Sequence, residues 1–156
     1  MSGEGGPGVD PFGLVGSTLA GKFRVDRYVA EGGFGVVYQS THVALEKTVA
    51  LKVLKVPPEL SDSARREFLD KFAQEAKTIA RFEHPAIVRV LDFGTSPMPD
   101  GREAPWMVLE WIAGDTLADA LGAYPRAPRS PAQILSLLRP VFEAVAYAHD
   151  EGIAHR

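Results

Sequence analysis

The spacing of apolar residues changes several times along the chain, and each change marks an element. Phe23, Val25 and the Tyr28-Val29 pair predict a strand, Val36-Val37-Tyr38 a second, and Lys47–Leu54, with Val49, Leu51 and Val53, a third. Ala30-Glu31-Gly32-Gly33-Phe34-Gly35 lies between the first two, so its glycines join strands in a hairpin. Pro57-Pro58 breaks this run. Ala64, Phe68, Phe72, Ala76, Ile79 and Ala80 then recur at intervals that place them on one face of a helix. Ser61 or Ser63 can cap this helix, which is expected to run to about Arg81 and to end before His84-Pro85. Ile87–Leu91 and Trp106–Leu109 read as two further strands, joined by the turn-rich Thr95–Pro105 segment.

Gly114-Asp115 opens a short helix through Leu121, and a Pro-rich connector, Tyr124–Arg129, follows. Ser130, Pro131 and Gln133 then have the chemistry of a helix start, with a capping serine, proline at the first position and glutamine closing a capping box. This last helix is expected to reach Asp150, with Gly152 just past its end. Pro140 inside it should remove one backbone hydrogen bond and cause a kink. Residues 1–17, rich in Gly and Pro, read as a flexible leader. The pattern is five strands with one helix inserted, followed by helices.

Composition narrows the class. The 156 residues are 46% apolar and 24% charged, the balance of a soluble globular domain or one lobe of a larger one. A net charge of -3 offers no basic field for nucleic acid and no polybasic membrane patch. The absence of cysteine excludes disulfides, thiolate metal sites and a thiol nucleophile, and suits a cytoplasmic location. No secretory signal and no membrane segment are expected in these residues.

Chemistry enters with the glycine hairpin. A Walker loop needs Gly-Lys-Ser/Thr opening a helix, and a dinucleotide-binding turn also opens a helix, whereas these glycines open a strand. What remains is a hairpin whose backbone, unscreened by side chains, can lie over phosphates. Lys52 interrupts an apolar strand and shares a face with Ala50 and Leu54, and Glu75 lies on the apolar stripe of the helix, on the face of Phe68 and Ile79. Two such charges are costly if buried alone, so they either pair or snorkel to solvent. Asp92-Phe93-Gly94 reads as a strand end and turn, and Asp115 and Asp119 as solvated charges. His42, His84, His149 and His155 have no metal-ligand spacing.

Five pieces occur in the order found in protein kinases: AEGGFGVVY, VALK, QEAKTIARFEHPAIV, VLEWIAGDTL and GIAHR. From about Leu19 to Arg156 the chain resembles the bacterial serine/threonine kinases of eukaryotic type. The resemblance implies an α+β fold: a kinase N-lobe over residues 18–109, with a five-stranded antiparallel sheet plus helix C, then the hinge and the first helices of the C-lobe over 110–156. It assigns Gly32, Gly33 and Gly35 to the phosphate-covering loop, with Phe34 at its tip and Ala30 at the family's first glycine. Val37 and Ala50 would pack on the adenine, and Lys52 would hold the α- and β-phosphates with Glu75 as its helix partner. Leu109 resembles the gatekeeper. The backbone of Glu110 and Ile112 would meet the adenine edge, while Asp115 would reach the ribose or cap a helix. ATP is the implied cofactor, with Mg2+ expected for the family but without its ligands here, and protein substrates are the implied partners.

His155-Arg156 resembles the start of the kinase His-Arg-Asp motif, so the catalytic Asp and the metal-binding motif are not among these residues, and no phosphoryl transfer is expected from them alone. The last helix, apolar on most sides, is expected to expose an apolar surface that aggregates or takes a covering partner. A short nucleotide-sensing or protein-binding module is the alternative reading. A ligand-free scaffold is the third, and the costly internal charges argue against it.

Overall fold

The computed structural model describes residues 9–122 and 129–153. They form two compact units. The first takes the chain up to Arg81 together with Arg89–Trp111, and the second takes Phe82–Val88 and the chain from Ile112.

In the first unit the strands are β1 (Thr18–Leu19), β2 (Phe23–Glu31), β3 (Gly35–His42), β4 (Lys47–Leu54), β5 (Val90–Pro97) and β6 (Glu103–Glu110), with helix α1 (Asp62–Ile79) between β4 and β5. All pairings are antiparallel, in the order β1-β2-β3-β4-β6-β5. The five expected strands are present as β2 to β6, and the two-residue β1 is an addition.

Strand alternation separates two faces. Val36, Tyr38, Val49, Leu51, Val53, Trp106 and Val108 are buried on one face and make the core with Phe23 and Val25. An aromatic edge contact between Phe23 and Trp106, with ring centroids 5.8 Å apart, ties the first long strand to the last. The opposite face, carrying Val37, Ala50, Lys52, Met107 and Leu109, is only half-buried.

Residues 10–17 correct the expectation of a flexible leader. Leu14 is 3% exposed and belongs to the core cluster, and Phe12 packs against it. The Asp10 carboxylate accepts hydrogen bonds from the Phe12 N–H (3.2 Å), the Val15 N–H (2.8 Å) and the Tyr38 hydroxyl (2.5 Å). Two backbone bonds, Gly16 N–H to Val25 O (2.8 Å) and Val25 N–H to Ser17 O (2.9 Å), seal the segment to β2. Gly-Pro composition hid a single buried leucine and a single carboxylate, which are enough to hold a short strap.

Ser40, at 0% exposure, is the one buried polar residue of this core among those described, and its hydroxyl has no hydrogen-bond partner. An unpaired buried hydroxyl costs about 1–3 kcal/mol. Ser40→Ala is therefore expected to raise the urea midpoint, by an amount equivalent to about 1 kcal/mol, with the slope of the transition unchanged.

Ser61, not Ser63, caps α1, its hydroxyl accepting from the Ala64 N–H at 3.3 Å. The helix buries Phe72 and Ala76 and packs toward β5 and β6. The Asp92-Phe93-Gly94 run also needs correction. It lies within β5 rather than at a strand end, because the strand begins later and runs longer than expected. Gly94 sits opposite Trp106, where an added Cβ would lie 2.6 Å from the indole. That glycine seats a tryptophan.

The second unit holds α2 (Leu117–Gly122) and α3 (Pro131–Asp150). Ser130 caps α3 with the expected box: its hydroxyl accepts from the Gln133 N–H, and the Gln133 side chain accepts from the Ser130 N–H at 2.8 Å. The helix continues through Pro140, and Gly152 follows it with a positive φ of 80°. Tyr147 of α3 packs edge-on against Phe82 (5.6 Å) and accepts from the Glu83 N–H (3.3 Å), and His84 lies beside the same ring. Leu135, Val141 and Phe142 are each more than half exposed, as the all-round apolar pattern of α3 anticipated. Residues 123–128 of the Pro-rich connector and the His155-Arg156 pair lie outside the described residues.

Candidate functional site

The glycine turn closes as a tight hairpin. Gly32 N–H donates to Gly35 O at 2.9 Å, leaving Gly33 and Phe34 at the tip, with the Phe34 ring 83% exposed. The glycines are not equivalent. An added Cβ at Gly32 or Gly33 would meet nothing within 4 Å, whereas at Gly35 it would lie 2.4 Å from Val53 O and 3.1 Å from Leu54 Cα. Gly35 is required by the close approach of β4. Gly32 and Gly33 leave an open backbone that a ligand can reach. Ala30, at the position where the resemblance expects glycine, pairs with Val37 in extended strand and does not have positive φ, so its methyl group is compatible with the loop.

Cross-strand register gathers the candidate residues on the half-buried face. Val37 is opposite Lys52, which is opposite Met107; Ala50 is opposite Leu109 and Gln39. Directly opposite residues on antiparallel strands share a face with Cβ atoms about 5 Å apart. Val37, Ala50, Lys52 and Leu109 therefore form one patch, apolar except for a single ammonium. Met107 and Gln39 belong to it as well and were not anticipated. Alternation would have found both, Met107 from Leu109 and Gln39 from Val37, each two residues along the same strand. No carboxylate lies within ion-pair distance of Lys52 among the described residues.

Glu75 departs from expectation. It is exposed, on a face of α1 that also carries Arg66, Glu67, Asp70, Lys71 and Gln74, and it is not paired with Lys52. The physical reason is its angle. At about 100° per residue, Glu75 points about 60° away from Phe72 and about 100° from Ala76, the two residues that α1 buries. It sits at the rim of the stripe, where snorkelling to water is open to it.

Glu110 ends β6 in a fixed posture. Its N–H donates to Arg89 O at 3.0 Å, and its carboxylate accepts from the Arg89 N–H at 2.8 Å. Next to it, the Arg27 guanidinium lies over the Trp111 ring at 5.8 Å, within cation–π range. Ile112 and Asp115 belong to the second unit and are exposed. Asp115 does not cap α2. Thr116 does, with its hydroxyl accepting from the Asp119 N–H (3.1 Å) while Asp119 accepts from the Thr116 N–H (3.3 Å) and hydroxyl (2.6 Å).

Behind the patch, on the core face, the strongest perturbation is the Tyr38–Asp10 contact. Burial, and then the Asp10 carboxylate, push the Tyr38 hydroxyl far above its ordinary range. Burial alone would raise Asp10, but the Tyr38 hydroxyl and the backbone N–H groups of Val15, Phe12 and Gly13 outweigh it and hold the carboxyl below the usual aspartate value.

A glycine hairpin opening onto a strand, with an interior-strand lysine beside it on a mostly apolar face, is an arrangement unlike the Walker and dinucleotide folds, whose glycines open a helix. Comparison gives that arrangement its family. The protein kinase domain family matches residues 23–156, and the chain belongs to it. It is 38% identical over 138 residues to the serine/threonine-protein kinase pkn2 of Myxococcus xanthus, covering 88% of this chain and 15% of that one. It is 36% identical over 142 residues to the serine/threonine-protein kinase PknA of Mycobacterium tuberculosis, covering 91% of this chain and 32% of that one. Among solved structures, the apo form of PpkA-294 superposes with a TM-score of 0.71 at 30% identity, over 91% of this chain and 53% of that one. The chain thus spans about half of that solved structure, and a third or less of these two curated relatives.

Proposed function

We propose that this chain is the ATP-binding part of a serine/threonine protein kinase, whose full activity is transfer of the γ-phosphate of ATP to hydroxyl groups of protein substrates. The observation that carries the reading is Lys52: a half-buried ammonium on an apolar face, beside an open glycine backbone and without a carboxylate partner among the described residues. Such a cation is completed by an anionic ligand. Val37, Ala50 and Leu109 offer a flat apolar surface next to it, and a small residue at Ala50 leaves room for a planar ring. Bound ATP would supply the phosphoryl group for transfer. This chain's part is to seat the base on that surface, offer Gly32 and Gly33 N–H groups over the phosphates, and balance their charge with Lys52. In the family the resemblance points to, Mg2+ is held by one or two carboxylates together with the nucleotide phosphates, and the catalytic Asp and metal-binding motif expected to supply them are not among these 156 residues. We propose that these 156 residues hold nucleotide without turning it over.

The second reading, a nucleotide-sensing or protein-binding module, rests on the separation of Lys52 from Glu75, because active kinases need that ion pair in place. No helix among the described residues is long and apolar enough to cross a membrane, and the cysteine-free composition fits a cytoplasmic setting.

Titration with a fluorescent ATP analogue, with and without Mg2+, tests the proposal. Lys52→Ala is expected to weaken binding at least about tenfold, the scale of one lost charge-assisted contact, with little change in melting temperature. Equal binding by both proteins would remove Lys52 from the site, and phosphate release by the wild-type chain would refute the claim of no turnover.

A further inference from the structure

The patch around Lys52 faces one side of the sheet, while a second lysine three residues on faces the other. We propose that Lys55 and Glu31 form a clasp behind the glycine loop, a positioning pair that holds the Gly32–Gly35 tip where its backbone can meet a phosphate. The proposal rests on the reading of that loop as phosphate-covering. Lys55 Nζ and Glu31 Oε1 are in direct ion-pair contact. Glu31 is opposite Val36, Val36 is opposite Val53, and Lys55 lies two residues beyond Val53, so both charges are on the core face. Lys55 is therefore turned away from the Lys52 patch and does not serve as a second phosphate cation.

Lys55 grips the loop at both ends. Its side chain holds Glu31, the last residue before the tip, and its backbone N–H donates to Phe34 O at 3.1 Å. Within the tip, the described backbone bond is Gly32 N–H to Gly35 O, and Gly32 and Gly33 have no side chains to pack. Glycines lose more conformational freedom on ordering than other residues, so a tether beside them restricts the segment most in need of it. Both charged side chains are 40% exposed. Exposed pairs add little to global stability, so removing this one should loosen the loop without unfolding the lobe.

The test uses Lys55→Met, Glu31→Gln, the conservative Lys55→Arg and the charge-swapped double variant Glu31→Lys/Lys55→Glu. Amide hydrogen exchange at residues 32–36 without nucleotide is the first readout, and affinity for the fluorescent ATP analogue is the second. Each single neutral variant is expected to speed exchange there and weaken binding by about two- to fivefold, with exchange in β5, β6 and α1 unchanged. Lys55→Arg and the double swap restore both, and in 1 M salt the difference shrinks for every variant. Unchanged exchange at residues 32–36 in both single variants overturns the clasp. So does weakened binding in Lys55→Met alone with no rescue by the swap, which would make Lys55 a direct ligand. Faster exchange with no analogue binding, even by the wild type, keeps the clasp as a loop-ordering device and refutes the nucleotide reading instead.

Discussion

Gly35→Ala is expected to cost at least about 3 kcal/mol, the upper end of what overpacking does in a well-filled interior. The added methyl would lie 2.4 Å from Val53 O, and both that oxygen and Leu54 Cα belong to the backbone of β4, which cannot rotate aside as a side chain can. Relief would require β3 to move off β4 at the Gly35–Leu54 pair, and with it the register that sets Val37 opposite Lys52. A domain's whole stability is about 5–15 kcal/mol, so this one methyl group takes a large share. Gly32→Ala and Gly33→Ala, with open space at the Cβ position, are expected to shift the urea midpoint by the equivalent of less than about 1 kcal/mol. The three variants separate two roles within one motif. Gly35 holds the sheet, and its loss shows as unfolding; Gly32 and Gly33 face outward, and their loss shows in the affinity for the ATP analogue. A Gly35→Ala protein as stable as the Gly32→Ala protein would contradict the strand approach from which the patch is built.

Local chemistry made most of this fold legible. The Ser130-Pro131-Gln133 box and the alternation of Val49, Leu51 and Val53 each depend on neighbours in sequence, and the structure shows both where the pattern puts them, while it decides the cap of α1 between Ser61 and Ser63 in favour of Ser61. The apolar patch was legible for the same reason, since Lys52, Ala50 and Leu54 share a face by alternation alone. Glu75 was not, because a helical wheel gives the direction of a side chain relative to its own helix but not the angle at which the helix meets the sheet. Two buried residues, Phe72 and Ala76, fix that angle in α1. The Asp92-Phe93-Gly94 segment misled in another way: a glycine suggested a turn, while its real cause is the indole of Trp106, a residue twelve positions away.

The strap shows the same limit at its largest. Asp10 bonds to Tyr38 across 28 positions, and nothing in the Gly-Pro texture of residues 1–17 marks it. Removing Asp10 is expected to have the second large effect on stability. Asp10→Ala strips the hydroxyl of a tyrosine at 0% exposure of its carboxylate partner and frees the Phe12 and Val15 N–H groups, which cap the turn that delivers Leu14 to the core. A buried hydrogen bond to a charged group contributes about 1.5–3 kcal/mol, and loosening Leu14 adds to it about 1.5–3 kcal/mol at most. Tyr38→Phe removes both the donor and its need for a partner, and should cost less than Asp10→Ala. The double variant should then be closer to Asp10→Ala than to the sum of the two, the mark of a direct contact.

The pH dependence carries its own sign. Asp10 is held below its ordinary value in the folded chain, so its stabilisation is present above about pH 3.9 and is lost as the pH falls through the lower folded value. Tyr38 is held above its ordinary value, so stability is lost at the other end, as the pH rises past about 10 and the unfolded chain ionises first. Urea midpoints from pH 2 to 7 should therefore show a steeper acid limb for the wild type than for Asp10→Asn, and midpoints near pH 10–11 a steeper alkaline limb than for Tyr38→Phe. Parallel curves at both ends would mean that the strap is held by Leu14, Phe12 and its backbone bonds to β2, without a contribution from the Asp10–Tyr38 contact. The family match begins at residue 23, and a chain cut there would lack Asp10, Leu14 and Leu19 together. The core on the back of the sheet includes the strap, which thereby supports the strands that carry the glycine loop.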